Sequence, residues 1–237
     1  MSAPQTLTRP LAQRVAALAD VPPVGAAPAV SPGVIDAAAD ALVRGQTHYT
    51  DRPGIGPLRE QVVGALGRRF GIELDAGQVT ITCGATEARF VAVKQLSAGK
   101  AILGPGGAGA IGAAAALVGV PVVASVDDPS AVSILYLTPA DDPAAAAPLL
   151  ERARAHGWWV IFDTTVAGDA LPHPARGAAL AGQVVSIGSY SDALPGWRVG
   201  WMAGSSAVNK LRAYKQSLTI CTTSVSQWAA LGLEREP

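Results

Sequence analysis

From Val79 onward the chain alternates short apolar runs with longer stretches of helical spacing, and few folds accept that order. Apolar runs fall at 79–82, 101–103, 122–125, 132–137, 159–162, 184–187 and 199–203, and the spacing between them predicts helices at 86–95, 108–118, 144–156 and 206–216, with another near 225–233. Runs that are apolar at nearly every position suit strands covered on both faces, the condition of a parallel sheet between helical layers. The alternation therefore predicts a three-layer α/β/α domain with a mostly parallel, seven-stranded sheet. Ahead of it, 34–43 has helical spacing, and 57–70 reads as an amphipathic helix opened by the Pro53-Gly-Ile-Gly-Pro57 turn. Residues 1–32 are rich in Pro and Ala and are read as an N-terminal arm with one short helix near 11–18, which leaves 33–237 as the domain proper.

A length of 237 residues is ample for a buried core. The formal net charge of zero, with Lys and Arg scattered, gives no field to gather nucleic acid or anionic lipid. Residues 101–126 carry no charge, which raises the question of a membrane span, but several glycines and two prolines break the passage. It reads instead as strand, helix and strand buried in an α/β core. No basic stretch followed by an apolar run opens the chain. Cys83 and Cys221 lie far apart in apolar contexts without metal or redox spacing, and are read as reduced thiols of a cytoplasmic protein.

Three short motifs can carry chemistry. Gly84-Ala85-Thr86 joins a strand to a helix N-terminus, where free N–H groups and the helix dipole favour a phosphate and small residues let the backbone approach it. The alternative is an ordinary strand-to-helix turn. Asp163 ends the apolar strand Val160-Ile-Phe-Asp163, at the edge where open α/β sheets bind ligands, or else serves a turn or helix cap. Gly104-x-Gly106-x-x-Gly109, with Asp127 and Asp128 after the next run, has the spacing of a dinucleotide fingerprint, although Pro105 removes an N–H from its cradle. His48, His156 and His173 each lack a second metal ligand at suitable spacing, and His173 is read as a surface-loop residue. Ser191-Asp192 has no histidine nearby to act as a base.

Five segments in order carry a resemblance. They are Thr47-His-Tyr-Thr-Asp-Arg-Pro-Gly-Ile-Gly-Pro-Leu-Arg-Glu60, Val79-Thr-Ile-Thr-Cys-Gly-Ala-Thr-Glu-Ala88, Leu135-Tyr-Leu-Thr-Pro139, Val160-Ile-Phe-Asp163 and Ser186-Ile-Gly-Ser-Tyr-Ser-Asp-Ala-Leu-Pro-Gly-Trp-Arg-Val-Gly-Trp201. Together they resemble the class I/II aminotransferases, fold type I enzymes that use pyridoxal 5′-phosphate (PLP). The resemblance implies a PLP phosphate held by Gly84, Ala85, Thr86, Ser189 and Arg198, with Tyr49 reaching it from a neighbouring subunit of a homodimer. It implies Asp163 opposite the pyridinium nitrogen, and Asp142 in place of an asparagine beside the phenolate oxygen, where an anion repels. Val166 stands where the family has a tyrosine, the Gly104–Ala110 loop lacks the ring-stacking aromatic, and the family's small C-terminal domain is expected to be absent.

The family's Schiff-base lysine has no counterpart in the last segment. Its position falls on Tyr190 or Asp192 according to which flanking motif is aligned. Lys94, Lys100, Lys210 and Lys215 are read as solvated helix-face charges. Ordinary transamination is therefore not expected. What remains is a repurposed enzyme binding PLP or another phosphorylated small molecule non-covalently, a non-catalytic partner or regulatory subunit, an incomplete gene product, or a nucleotide-binding protein using Gly104, Gly106 and Gly109. No nucleic-acid, membrane or metal partner is expected.

Overall fold

The computed structural model describes residues 30–177, 179–204 and 207–235, so the helix read near 11–18 lies outside the described residues. Seven strands, β1 (Val79–Thr82), β2 (Ala101–Leu103), β3 (Val122–Val123), β4 (Val132–Leu137), β5 (Trp159–Asp163), β6 (Val184–Ser189) and β7 (Gly200–Ala203), form one sheet in the order β1-β7-β6-β5-β4-β2-β3. All pairings are parallel except those of β7, which runs antiparallel to both β1 and β6. The link from β6 to β7 is too short for a crossover helix, so the chain turns back on itself there. The carboxyl ends of β1, β4, β5 and β6 consequently share one edge with the start of β7, as the pairings Thr82–Gly200 and Ser189–Gly200 show.

The helices are α1 (Pro32–Val43), α2 (Gly56–Phe70), α3 (Gly84–Leu96), α4 (Gly112–Val118), α5 (Pro143–His156), α6 (Val208–Leu218) and α7 (Ser224–Ala230). Strand residues alternate between the two layers. Ile134, Tyr136, Ile161, Ile187 and Met202 pack with α3, α4 and α6, whereas Leu135, Leu137, Val160 and Phe162 meet α5 on the other face. Trp201 and Ala203 continue that second face against α1, α2 and α7. This is the period-two pattern of a sheet buried on both sides.

Some elements differ from the sequence reading. The run at 122–125 pairs only through Val122–Val123, and the stretch at 108–118 divides into a 3₁₀ turn, Gly109–Ile111, and α4. Gly109 has φ of +41°, which a continuous α-helix does not accommodate. Among the described residues no helix is long and apolar enough to cross a membrane.

Candidate functional site

The site lies where β1 feeds α3. Gly84 turns the chain with φ of +76°, and Cys83 precedes the first helical turn. Glu87 Oε2 accepts the Cys83 N–H at 2.7 Å, so one orphan donor of the helix start is satisfied and an anion complements the dipole. Gly200 of β7 sits directly against this turn. A Cβ there would stand 2.5 Å from the Gly84 carbonyl carbon and 2.7 Å from Ala85 N. Gly200→Ala must push β7 away from α3, and is expected to cost about 2 kcal/mol of stability, read as a lowered denaturation midpoint.

Arg198 closes the turn from above. It has φ of +57°, a left-handed conformation that costs a non-glycine residue on the order of 1 kcal/mol and that persists where the surroundings impose it. Its Nη2 donates to Cys83 O at 3.1 Å and Thr86 Oγ1 at 3.3 Å, and a Cβ on Gly84 would lie 2.7 Å from it. The structure thus brings Gly84, Ala85, Thr86 and Arg198 together. Ser189 ends β6 beside them, paired with Gly200, and its hydroxyl accepts from Ser191 N at 3.0 Å while donating to Val199 O. Tyr190 packs against the apolar cluster of α1, α2 and α7, and Asp192 is exposed.

Tyr49 lies farther out, 73% exposed, on a cleft of about 400 Å³ with Thr47, His48, Cys221, Thr222 and Thr223. Thr222 links that cleft to the α3 start through its contact with Cys83 Sγ at 3.9 Å. The buried Gln227, unremarked in the sequence, fixes the cleft wall by donating to Thr222 O and Thr50 Oγ1 and accepting from Ile55 N. Burial, then the charge of Glu87, pushes the Cys83 thiol above its ordinary range.

Asp163 is fully buried at the end of β5. Arg89 of α3 donates to it through Nε at 2.7 Å and Nη2 at 3.3 Å, Tyr136 through its hydroxyl at 3.0 Å, and Thr165 through both N–H and hydroxyl. Arg89 Nη2 also bonds the Thr165 hydroxyl. Burial first, and Asp163 second, holds the Tyr136 phenol well above its ordinary range, so it stays a donor. Neither Arg89 nor Tyr136 was singled out by the sequence reading. Beside them Gly106, Gly107, Gly109, Thr138, Asp141 and Val166 enclose about 150 Å³ with Tyr136.

Asp142 is exposed and caps α5 by accepting from Ala145 N at 3.0 Å, whereas Asp141 lines the cavity and binds Thr138 N and Oγ1. Gly104, Gly106 and Gly109 belong to the loop between β2 and α4. Asp128, however, spends both oxygens on Ser130, and Asp127 is exposed. Two sequence readings are corrected by burial. His173 is 2% exposed, sealed by Phe70 and Phe162, rather than a surface-loop residue. Lys215 is wholly buried on α6, and its Nζ has no hydrogen-bond partner among the described residues, whereas Lys94, Lys100 and Lys210 are exposed as read. No group of three potential metal ligands occurs among the described residues.

No family model matches the chain. It is 29% identical over 228 residues to the arginine–pyruvate transaminase AruH of Pseudomonas aeruginosa, an alignment covering 79% of this chain and 55% of that protein. A shorter stretch is 36% identical over 63 residues to a probable aspartate aminotransferase of Methanocaldococcus jannaschii, covering 27% of this chain and 17% of that one. The chain therefore spans little more than half the length of the first of these relatives. Among solved structures, N-succinyldiaminopimelate aminotransferase from Mycobacterium tuberculosis matches with a TM-score of 0.73 at 25% identity, over 96% of this chain and 69% of that one. YbdL from Escherichia coli, for which a methionine aminotransferase function was identified, shares the fold with a TM-score of 0.74 at 20% identity, over 99% of this chain and 72% of that one. The homologues and structural neighbours found for the chain are class I/II aminotransferases, of PLP fold type I, and its three-layer α/β/α fold with a mostly parallel seven-stranded sheet is theirs.

Proposed function

We propose that the chain is an aminotransferase-like protein that holds a phosphorylated small molecule non-covalently at the carboxyl edge of its sheet, and that lysine-dependent transamination is not its activity. The observation that carries this reading is the guanidinium of Arg198, poised over the start of α3 on Cys83 O and Thr86 Oγ1. A phosphate placed there gains helix N–H donors, the dipole, the Thr86 hydroxyl and a planar cation in one place. The strained backbone of Arg198 is consistent with a ligand-directed position.

The residues present fit only one end of PLP. Its phosphate matches the α3 cradle. Its protonated ring does not match Asp163, whose two oxygens already receive Arg89, Tyr136 and Thr165. Among the lysines only Lys215 is buried, on α6 rather than in the loop after β6, so no amine stands at Tyr190 or Asp192 to attach a carbonyl.

Calorimetric titration with glycerol 3-phosphate is the test. Arg198→Ala is expected to weaken binding roughly tenfold to a hundredfold, the worth of one charge-assisted contact. An unchanged affinity would remove the proposed cradle.

A further inference from the structure

Asp163 is the residue that the family resemblance assigns to a protonated ring nitrogen, yet in this chain its carboxylate already has a cation. Arg89 reaches both oxygens, Nε to Oδ2 at 2.7 Å and Nη2 to Oδ1 at 3.3 Å, in the forked arrangement that suits guanidinium and carboxylate. The Tyr136 hydroxyl and the Thr165 N–H and hydroxyl occupy the rest of the acceptor capacity. A carboxylate offers about four lone-pair positions, and all are spoken for here. A ring N–H can reach Asp163 only by displacing Arg89. That would strand the Arg89 guanidinium without its carboxylate, on the same helix as the Thr86 that Arg198 binds. The neighbouring cavity of about 150 Å³ is also well short of the several hundred cubic ångströms usual for a pocket enclosing a ring.

We infer that Arg89 is a built-in counter-ion and a specificity determinant: it takes the place of the ligand's cation opposite Asp163, so the pocket turns away phosphorylated pyridines and admits phosphate esters whose remainder is neutral or anionic. The second half of this statement rests on the phosphate reading above. Arg89 also keeps an edge for such a ligand, since its Nη1 has no hydrogen-bond partner among the described residues and 14% of the side chain is accessible. An oxygen acceptor on the ligand, such as a carboxylate, is the group that edge suits.

Two probes separate the two ends of the pocket. 4′-Deoxypyridoxine 5′-phosphate has the phosphate and the basic ring but no aldehyde, so it cannot form an imine with a surface lysine. Glycerol 3-phosphate has the phosphate and no ring. The wild-type protein is expected to bind the pyridine ester no tighter than glycerol 3-phosphate. Arg89→Gln, which removes the charge but keeps donors toward Asp163, should bind the pyridine ester at least about tenfold tighter than wild type does, and glycerol 3-phosphate no tighter than wild type does. Wild type preferring the pyridine ester by tenfold or more, or no gain in Arg89→Gln, would overturn the inference. The wild-type comparison needs no variant, so it decides the matter even if Arg89→Gln does not fold. If neither ester binds wild type while Arg89→Gln gains the pyridine ester, the phosphate reading fails and the role of Arg89 stands.

Discussion

Arg89→Leu is expected to lower the stability of the fold by about 3–5 kcal/mol, the usual loss when one partner of a buried ion pair is removed. The cost comes from what is left behind. Asp163 is fully buried, and without Arg89 its carboxylate keeps only Tyr136 and Thr165 as donors, with no compensating charge. For a domain of this size the loss corresponds to a drop in melting temperature of roughly 10 °C. Arg89→Leu combined with Asp163→Asn should be less destabilised than the sum of the two single changes, because the uncompensated charge is gone, and a coupling above about 1 kcal/mol is expected. Urea denaturation of the three variants measures this directly. A loss below about 1 kcal/mol for Arg89→Leu would mean that Asp163 is not held by the pair.

The second large effect is on pH. His173 Nδ1 accepts the Ala175 N–H at 3.1 Å, so the ring proton sits on Nε2, 2.8 Å from Ser186 Oγ. Burial among Phe70, Phe162 and Ser186 lowers its pKa from 6.5 to about 4. The unfolded chain therefore binds the proton more readily than the folded one between those values. Stability from neutral His173 is fully present above pH 6.5 and falls away as the pH drops toward 4, by about 3 kcal/mol in all. Denaturation midpoints measured across that window should decline in wild type and decline much less in His173→Gln. Parallel curves for the two proteins would show that another group carries the acid lability.

Much of the architecture was legible because it is local. The runs at 79–82, 101–103 and 132–137 are the observed strands β1, β2 and β4. The Gly84 turn, the strand-end Asp163 and Arg198 all sit within short motifs, which is why each could be named before its neighbours were known. What escaped were polar residues whose burial is set by partners remote in sequence. Arg89 and Asp163 are 74 positions apart, and nothing adjacent to either announces the pair. A signal was nevertheless present. Arg89 follows Ala85 by one turn and precedes Ala92 and Leu96 on the apolar stripe of α3, so a solvated arginine there would have broken the buried face. Lys215 shows the same sign, falling in register with Val208 and Leu211 of α6. His173 had no such marker, because its loop has no periodicity and its cover comes from α2, β5 and β6.

Reduction with borohydride after stoichiometric PLP addition, followed by peptide mapping, decides whether any lysine of this chain holds PLP covalently. No absorption band of a lysine imine at a defined site is expected, and no stoichiometric pyridoxyl label on Lys94, Lys100, Lys210 or Lys215. One lysine carrying a full equivalent, above all the buried Lys215, would contradict it and restore covalent PLP chemistry to this chain.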